Sequence, residues 1–204
     1  GKPRATVQEV YDQILADINK AVELLNGTTR QHISHIDYSV ALGIRARIGL
    51  VMEDWNLAKT SAKEAIAASG CDVIPVEDFM GLNSTAAGNV MWGAAINSDQ
   101  SGMYASFFSH MDQDGTGYAN GGAYKEINKI LYDGMAQNDS RRAWWDPTDE
   151  RNEDLGYMQN KFRFADTQTW TGDYIWMRVE EMYLTAAEAE CRLGEEAAAK
   201  EDLS

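Results

Sequence analysis

Two segments of this chain repeat apolar residues with the period of a helix, and they leave few folds open to it. From Asp37, DYSVALGIRARIGLVMEDWNLAKTSAKEAIAASG sets Ala41, Ile44, Ile48 and Val51 on one face, breaks at Glu53-Asp54, and resumes after Trp55 with Ala58, Ala62, Ala65 and Ile66. Side chains this small let two antiparallel helices approach closely, so the segment reads as a helix-turn-helix pair. From Tyr174, YIWMRVEEMYLTAAEAECRLG runs Ile175, Val179, Met182, Tyr183, Ala186, Ala189 and Leu193 along one face, stops at Gly194 and restarts as EEAAAKEDLS. The spacing predicts a second pair whose first helix opens near Asp173.

A further helix precedes them. Thr6 with Glu9 forms a capping box, in which each side chain satisfies a backbone N–H that the first helical turn leaves unpaired. Val7, Val10, Tyr11, Ile14, Ile18, Ala21, Val22 and Leu25 then make a stripe wide enough to bury against two neighbours, ending at Gly27. Asp37 is the expected N-cap of the next helix, and Ser69-Gly70 the close of the one after. From Cys71 to Ala123 the helical rhythm fades and Gly, Asn, Ser and Asp accumulate, which opens a loop-rich insertion over about residues 71–172. Within it, Asn89 to Ile96 reads as a short strand and Ala123 to Ala136 as a helix with Ile127, Ile130, Leu131 and Met135 inward. YMQNKFRF alternates like a strand, and a loop as long as the one from Ser98 to Gly122 is usually functional or disordered. The expected fold is mainly α with minor β: one domain over residues 1–204, with helical repeat elements at about 6–70 and 173–204.

Composition closes off several functions. A net charge of −14 among 204 residues opposes any general hold on nucleic acid, which needs Lys and Arg to neutralise phosphates. It also disfavours direct adsorption to anionic lipid, so membrane attachment would need a covalent anchor. No run approaches the ~18 apolar residues of a membrane-spanning helix. Cys71 and Cys191 are too few for a disulfide framework and read as unpaired, core-like residues. No cofactor fingerprint or nucleophile elbow is present. Asp112, Asp114 and Thr116 alternate like the start of a calcium loop, but Ala123 stands where its bidentate Glu should be. His32 and His35 lack a third metal ligand, and His110 has no evident partner. No metal site and no catalytic residue is assigned. Glu180, Glu181, Glu188 and Glu190 read as the solvated face of a helix rather than as a catalytic pair.

Several of these segments, in this order, resemble the SusD/RagB family of outer-membrane nutrient-binding lipoproteins. YDQILADINKAVELL is similar to that family's Tyr, Ile, Asp-hydrophobic, Ala, Leu-Leu helix, and the Ala-rich pair resembles a tetratricopeptide repeat. After them come Asp139-x-Arg141, read as a structural turn, then Lys161-Phe162 and the helix opening Met177-Arg178-Val179-Glu180. The resemblance implies a SusD-like domain fragment on the extracellular face of the outer membrane, held by a lipid anchor. Its implied work is non-enzymatic capture of oligosaccharide or polysaccharide for import through a SusC-like TonB-dependent transporter. The alternative is a repeat scaffold for a peptide or protein partner.

Sugars are held by flat aromatic faces against the pyranose C–H face, with planar polar groups bonding the hydroxyls. The insertion offers both, and Tyr104, Phe108, Tyr118, Asn120, Trp144 and Trp145 are the expected ligand contacts on chemical grounds alone. Trp92 is expected in the core, and Trp55 and Trp176 as packing residues on repeat helices.

Overall fold

The computed structural model describes residues 3–79 and 81–204. In chain order the elements are α1 (Val7–Leu25), α2 (Tyr38–Val51), α3 (Trp55–Ser69), β1 (Val90–Ala94), α4 (Phe107–Met111), β2 (Glu126–Asn128), α5 (Lys129–Asp133), β3 (Trp145–Asp146), β4 (Gly156–Gln159), β5 (Tyr174–Arg178), α6 (Val179–Leu193) and α7 (Glu196–Asp202). The chain forms two compact units. One comprises residues 1–73, 88–92 and 176–204, and the other residues 74–87 and 93–175. The fold is mainly α with small sheets, as the helical periodicity requires.

In the first unit the local signals for helix ends operate as expected. The Thr6–Glu9 capping box forms, Asp37 accepts a hydrogen bond from the Val40 N–H at 2.9 Å, and Asp54 accepts one from the Leu57 N–H at 3.0 Å. Gly70 and Gly194 end α3 and α6 in the left-handed conformation, at φ 64° and 80°, which glycine adopts without a Cβ penalty. α2 packs on α3, and α3 on α6. The core between them is built from Val40, Ala41, Leu42, Ala46, Ala62, Ala65, Met177, Val179, Met182 and Ala186. Gly49 shows how close α2 and α3 come: a Cβ there would lie 2.6 Å from the Ala58 backbone nitrogen.

Three expectations for this unit need correction. The stripe of α1 is covered only in its second half, where it meets α2: Ile18 and Val22 are buried, while Val7 is 73% exposed. The late helix does not begin near Asp173, because Tyr174–Arg178 is the strand β5, paired with β1, and the helix starts at Val179. Backbone pairing with a distant strand thus overrides a stripe that reads equally well as helix. Trp176 therefore sits on a strand, 44% exposed, with its ring edge-on to the half-buried Trp92 at 4.8 Å.

The acidic residues of α6 are not a solvated face either. Glu190 is 1% exposed and binds the Lys63 ammonium at 2.6 Å, Glu181 pairs with Arg47, and Glu180 accepts from Asn89. Lys63 also reaches Asp202, at 3.3 Å. Its pKa is raised, first by the hydrogen bond to Glu190 and opposed by burial. Only Glu188 stands in solvent, beside Arg192.

In the second unit β4 is the middle strand of a three-stranded antiparallel sheet, with Glu126 opposite Met158 and Trp145 opposite Gln159. This pairing shortens the helix expected over Ala123 to Ala136. Ile127 lies in β2, Asn128 caps α5 by accepting from the Ile130 N–H, and only Lys129–Asp133 is helical. Ile130 and Leu131 point outward, 82% and 64% exposed. The strands expected at Asn89–Ile96 and in YMQNKFRF are present as β1 and β4.

Candidate functional site

The site is built from residues 104–120 of the second unit. Ser106 opens α4 by accepting from the Ser109 N–H. That single turn sets Phe107 and His110, three residues apart, on one outward face, and turns the intervening Phe108 inward. Asp112, 2% exposed, then bends the chain. Its Oδ1 accepts from the N–H groups of Asp114 and Gly115, and its Oδ2 from the Phe164 N–H at 2.8 Å.

The returning strand of the loop is bound back onto α4. The Tyr118 N–H donates to Ser109 Oγ, and the Ala119 N–H to the Ser109 carbonyl at 2.9 Å. Tyr118 is thereby laid over α4, with its ring stacked on His110 at 4.8 Å and 22° and meeting Tyr104 at 5.0 Å and 55°. Tyr104, Phe107 and Tyr118 remain 55%, 42% and 49% exposed. Tyr104, Tyr118 and His110, ordered by one another, form a shelf open to a ligand, with Phe107 on the same turn as His110 and its ring edge-on to Phe108 and Phe162. Each ring contact contributes about 0.5–1.5 kcal/mol of order beyond the burial of area.

Arginines brace the loop that leads to Tyr118. Asp114 binds Arg151 and Arg163, each at 2.7 Å, and Arg151 also donates to the Gln113 carbonyl and to Asp149. Burial pushes the Asp114 carboxyl up, but hydrogen bonds and charge from the two arginines outweigh it and hold the group below its ordinary value. Asp149 is lowered chiefly by its bond from Arg151. Asp112 is occupied by backbone amides, and Asp114 is lowered, the opposite of the raised pKa that a general acid for glycoside cleavage requires.

The expected contacts fare differently. Tyr104 and Tyr118 come together on the shelf, and Asn120, two residues on, is exposed with its Nδ2 donating to the Gln113 carbonyl. Phe108 is corrected: at 1% exposure it is a core ring, packed against Phe107, Phe164 and Tyr174. Trp144 and Trp145 are half-buried on another segment, with both indole Nε1 atoms buried. The Lys161 ammonium sits 4.3 Å from the centre of the Trp144 ring, so that face is occupied by the protein itself.

Phe107, one of the aromatics of the insertion, and His110 were not among the expected contacts. Their three-residue spacing after a Ser cap was the available signal, but it means something only once a helical turn is known to form there. Asp139 caps the turn that follows it by accepting from the Arg141 N–H and also accepts from the Arg141 guanidinium, and its carboxyl is lowered to about 2, chiefly by the guanidinium hydrogen bond.

Known proteins supply a context for this geometry. Residues 113–204 match the model of the SusD family. The structure is similar to that of a SusD-like carbohydrate binding protein from Bacteroides vulgatus, at 31% identity and a TM-score of 0.83, over 100% of this chain and 43% of that one. A SusD superfamily protein from Bacteroides thetaiotaomicron aligns at 20% identity and 0.72, over 98% and 46%. A surface glycan-binding protein from Bacteroides uniformis aligns at 19% and 0.68, over 98% and 49%. This chain thus spans less than half the length of each. No curated protein matches it in sequence.

Proposed function

The chain belongs to the SusD family, and on that footing we propose that its shelf of Tyr104, Phe107, His110 and Tyr118, with Asn120 at its margin, binds carbohydrate. The observation that carries the reading is the ordered stack of Tyr104, Tyr118 and His110, half open to solvent on a braced turn. Ring faces held in this way present flat apolar surface to a pyranose at little entropic cost, while the tyrosine hydroxyls and the imidazole supply hydrogen bonds. The binding is non-enzymatic. The whole protein works at the outer surface of the outer membrane, held by a lipid anchor, and passes oligosaccharide to a SusC-like TonB-dependent transporter. Residues 1–204 act in it as one SusD-like domain fragment.

The test is affinity electrophoresis through gels containing a panel of polysaccharides. The protein is expected to be retarded by at least one of them. Tyr118→Ala and Phe107→Ala should each weaken that retention about fivefold or more, the equivalent of ~1 kcal/mol of stacking. Trp144→Ala, at a ring whose face is already covered by Lys161, should run like the parent protein. Retardation by no polysaccharide would overturn the reading in favour of a peptide or protein partner, and retardation indifferent to the shelf variants would place carbohydrate binding elsewhere than the shelf.

A further inference from the structure

The pairing of β1 with β5 has an inner and an outer face, because successive side chains of a strand point to opposite sides. Met91 and Met177 are buried in the core of the first unit, so Trp92 and Trp176, next to them in sequence, share the outer face. There the two indoles meet across the strands, with centroids 4.8 Å apart and planes at 67°. Trp92 is half-buried, and its Nε1–H donates to the Ser34 carbonyl at 3.0 Å. Trp176 is 44% exposed. Of the Phe, Tyr and Trp residues in the first unit it alone is exposed.

Cross-strand packing accounts for the contact between the two rings. It does not account for the surface that Trp176 leaves in water, since tryptophan is highly buried on average. That surface is also held still. Arg47 of α2 donates from Nη2 to the Trp176 carbonyl at 2.7 Å, and its Nε and Nη2 fork onto the Glu181 carboxylate of α6 at 2.5 and 2.6 Å. The backbone of Trp176 is thus fixed by α2 and its ring by Trp92, and an indole ordered in advance loses little freedom when a ligand stacks on it. Arg47 and Glu181 are both partly exposed, so planar hydrogen-bonding groups reach solvent at the strand that carries the ring, and their charges cancel.

A rigid, flat apolar surface on a strand tied to a mutually neutralised polar pair suits an uncharged pyranose, whose C–H face covers one ring and whose hydroxyls both donate and accept. A stable protein partner buries about 800 Å² on each side, several times the roughly 150–250 Å² of one aromatic side chain. We propose that Trp176 is a second carbohydrate platform, built on the first unit from residues other than those of the shelf, and that it stacks an uncharged sugar residue. The proposal rests on the carbohydrate reading of the protein and adds a second point of contact for the same class of ligand.

Electrophoresis through gels containing soluble starch, hydroxyethyl cellulose or galactomannan, all uncharged, provides the test. In at least one of them Trp176→Ala and Trp176→Leu should each weaken retention about fivefold, whereas Trp176→Tyr, which restores a flat ring, should stay within about twofold of the parent. Leucine keeps apolar bulk against Trp92, so its effect separates stacking from a general loss of packing. Tyr118→Ala combined with Trp176→Ala should weaken retention more than either change alone. Because the shelf contains no tryptophan, a change in tryptophan emission on adding the same polysaccharide should persist in Tyr118→Ala and disappear in Trp176→Tyr. Retention indifferent to Trp176→Ala and Trp176→Leu, with the shelf variants still weakened, would overturn the platform and leave the proposed function intact. Trp176→Tyr as weak as Trp176→Leu, or an emission change that survives in Trp176→Tyr, would also overturn it. Retention by no polysaccharide would overturn both readings.

Discussion

Phe107 and Phe108 are adjacent and chemically identical, yet one is 42% exposed on the shelf and the other 1% exposed beneath it. The difference is the direction in which a single helical turn, capped by Ser106, points each ring. Substitutions should therefore separate stability from binding. Phe108→Ala removes a fully buried ring and is expected to cost about 3–5 kcal/mol, read as a lower denaturation midpoint in urea. Tyr118→Ala gives up a half-exposed contact, should cost closer to ~1 kcal/mol, and shows its effect in glycan retention. A Phe108→Ala midpoint no lower than that of Tyr118→Ala would contradict the assigned burial. Tyr104 and Tyr118 were legible in the sequence because aromatics in a run rich in Gly, Asn and Asp have few apolar neighbours to bury them. Phe108 was not, because its partners Phe164 and Tyr174 lie far along the chain.

At the scale of elements, α2 and α3 touch through Gly49, where a Cβ would meet the Ala58 backbone nitrogen at 2.6 Å and the Ala58 Cα at 3.0 Å. Gly49→Val must push the helices apart and is expected to destabilise the protein by about 1–3 kcal/mol, despite the better helix propensity of the new residue. An unchanged thermal midpoint would show that the pair is not closely packed. α3, α6 and α7 share the pairing of the half-exposed Lys63 with the buried Glu190 and with Asp202. Because the Lys63 pKa is raised in the folded state, its contribution is complete below the unfolded lysine value of about 10.4 and is lost as pH rises through the folded value. Lys63→Met should flatten that alkaline loss in a titration of thermal midpoint against pH. Helix ends were legible because caps act over three or four residues: Thr6, Asp37 and Asp54 each bond an N–H in the first turn that follows. β2 and β5 were not, since a strand exists by virtue of its partner, and β1 lies some eighty residues before β5.

For the whole molecule, a net charge of −14 is carried by carboxylates that are not all free. Asp114 and Asp149 are held by arginines, and Asp166 by backbone and hydroxyl donors of its own loop, all below the ordinary aspartate value. Groups lowered in this way stabilise the folded state above their unfolded pKa of about 3.9, and that contribution disappears as pH falls through their folded values. Thermal midpoints are therefore expected to drop between about pH 5 and pH 2, and Asp114→Asn to show a shallower drop. A midpoint indifferent to acid would contradict the ion pairs that brace the loop leading to Tyr118. The residues by themselves determined the helical class, the positions of the caps, the acidic surface and the presence of an aromatic, turn-rich insertion, because each follows from periodicity, composition or contacts within a few residues. Only the tertiary structure decided which rings face out, that Glu180, Glu181 and Glu190 of α6 are paired, and that a stretch read as helix is strand. Each of these depends on groups brought together from distant parts of the chain, and no local pattern records which partner arrives.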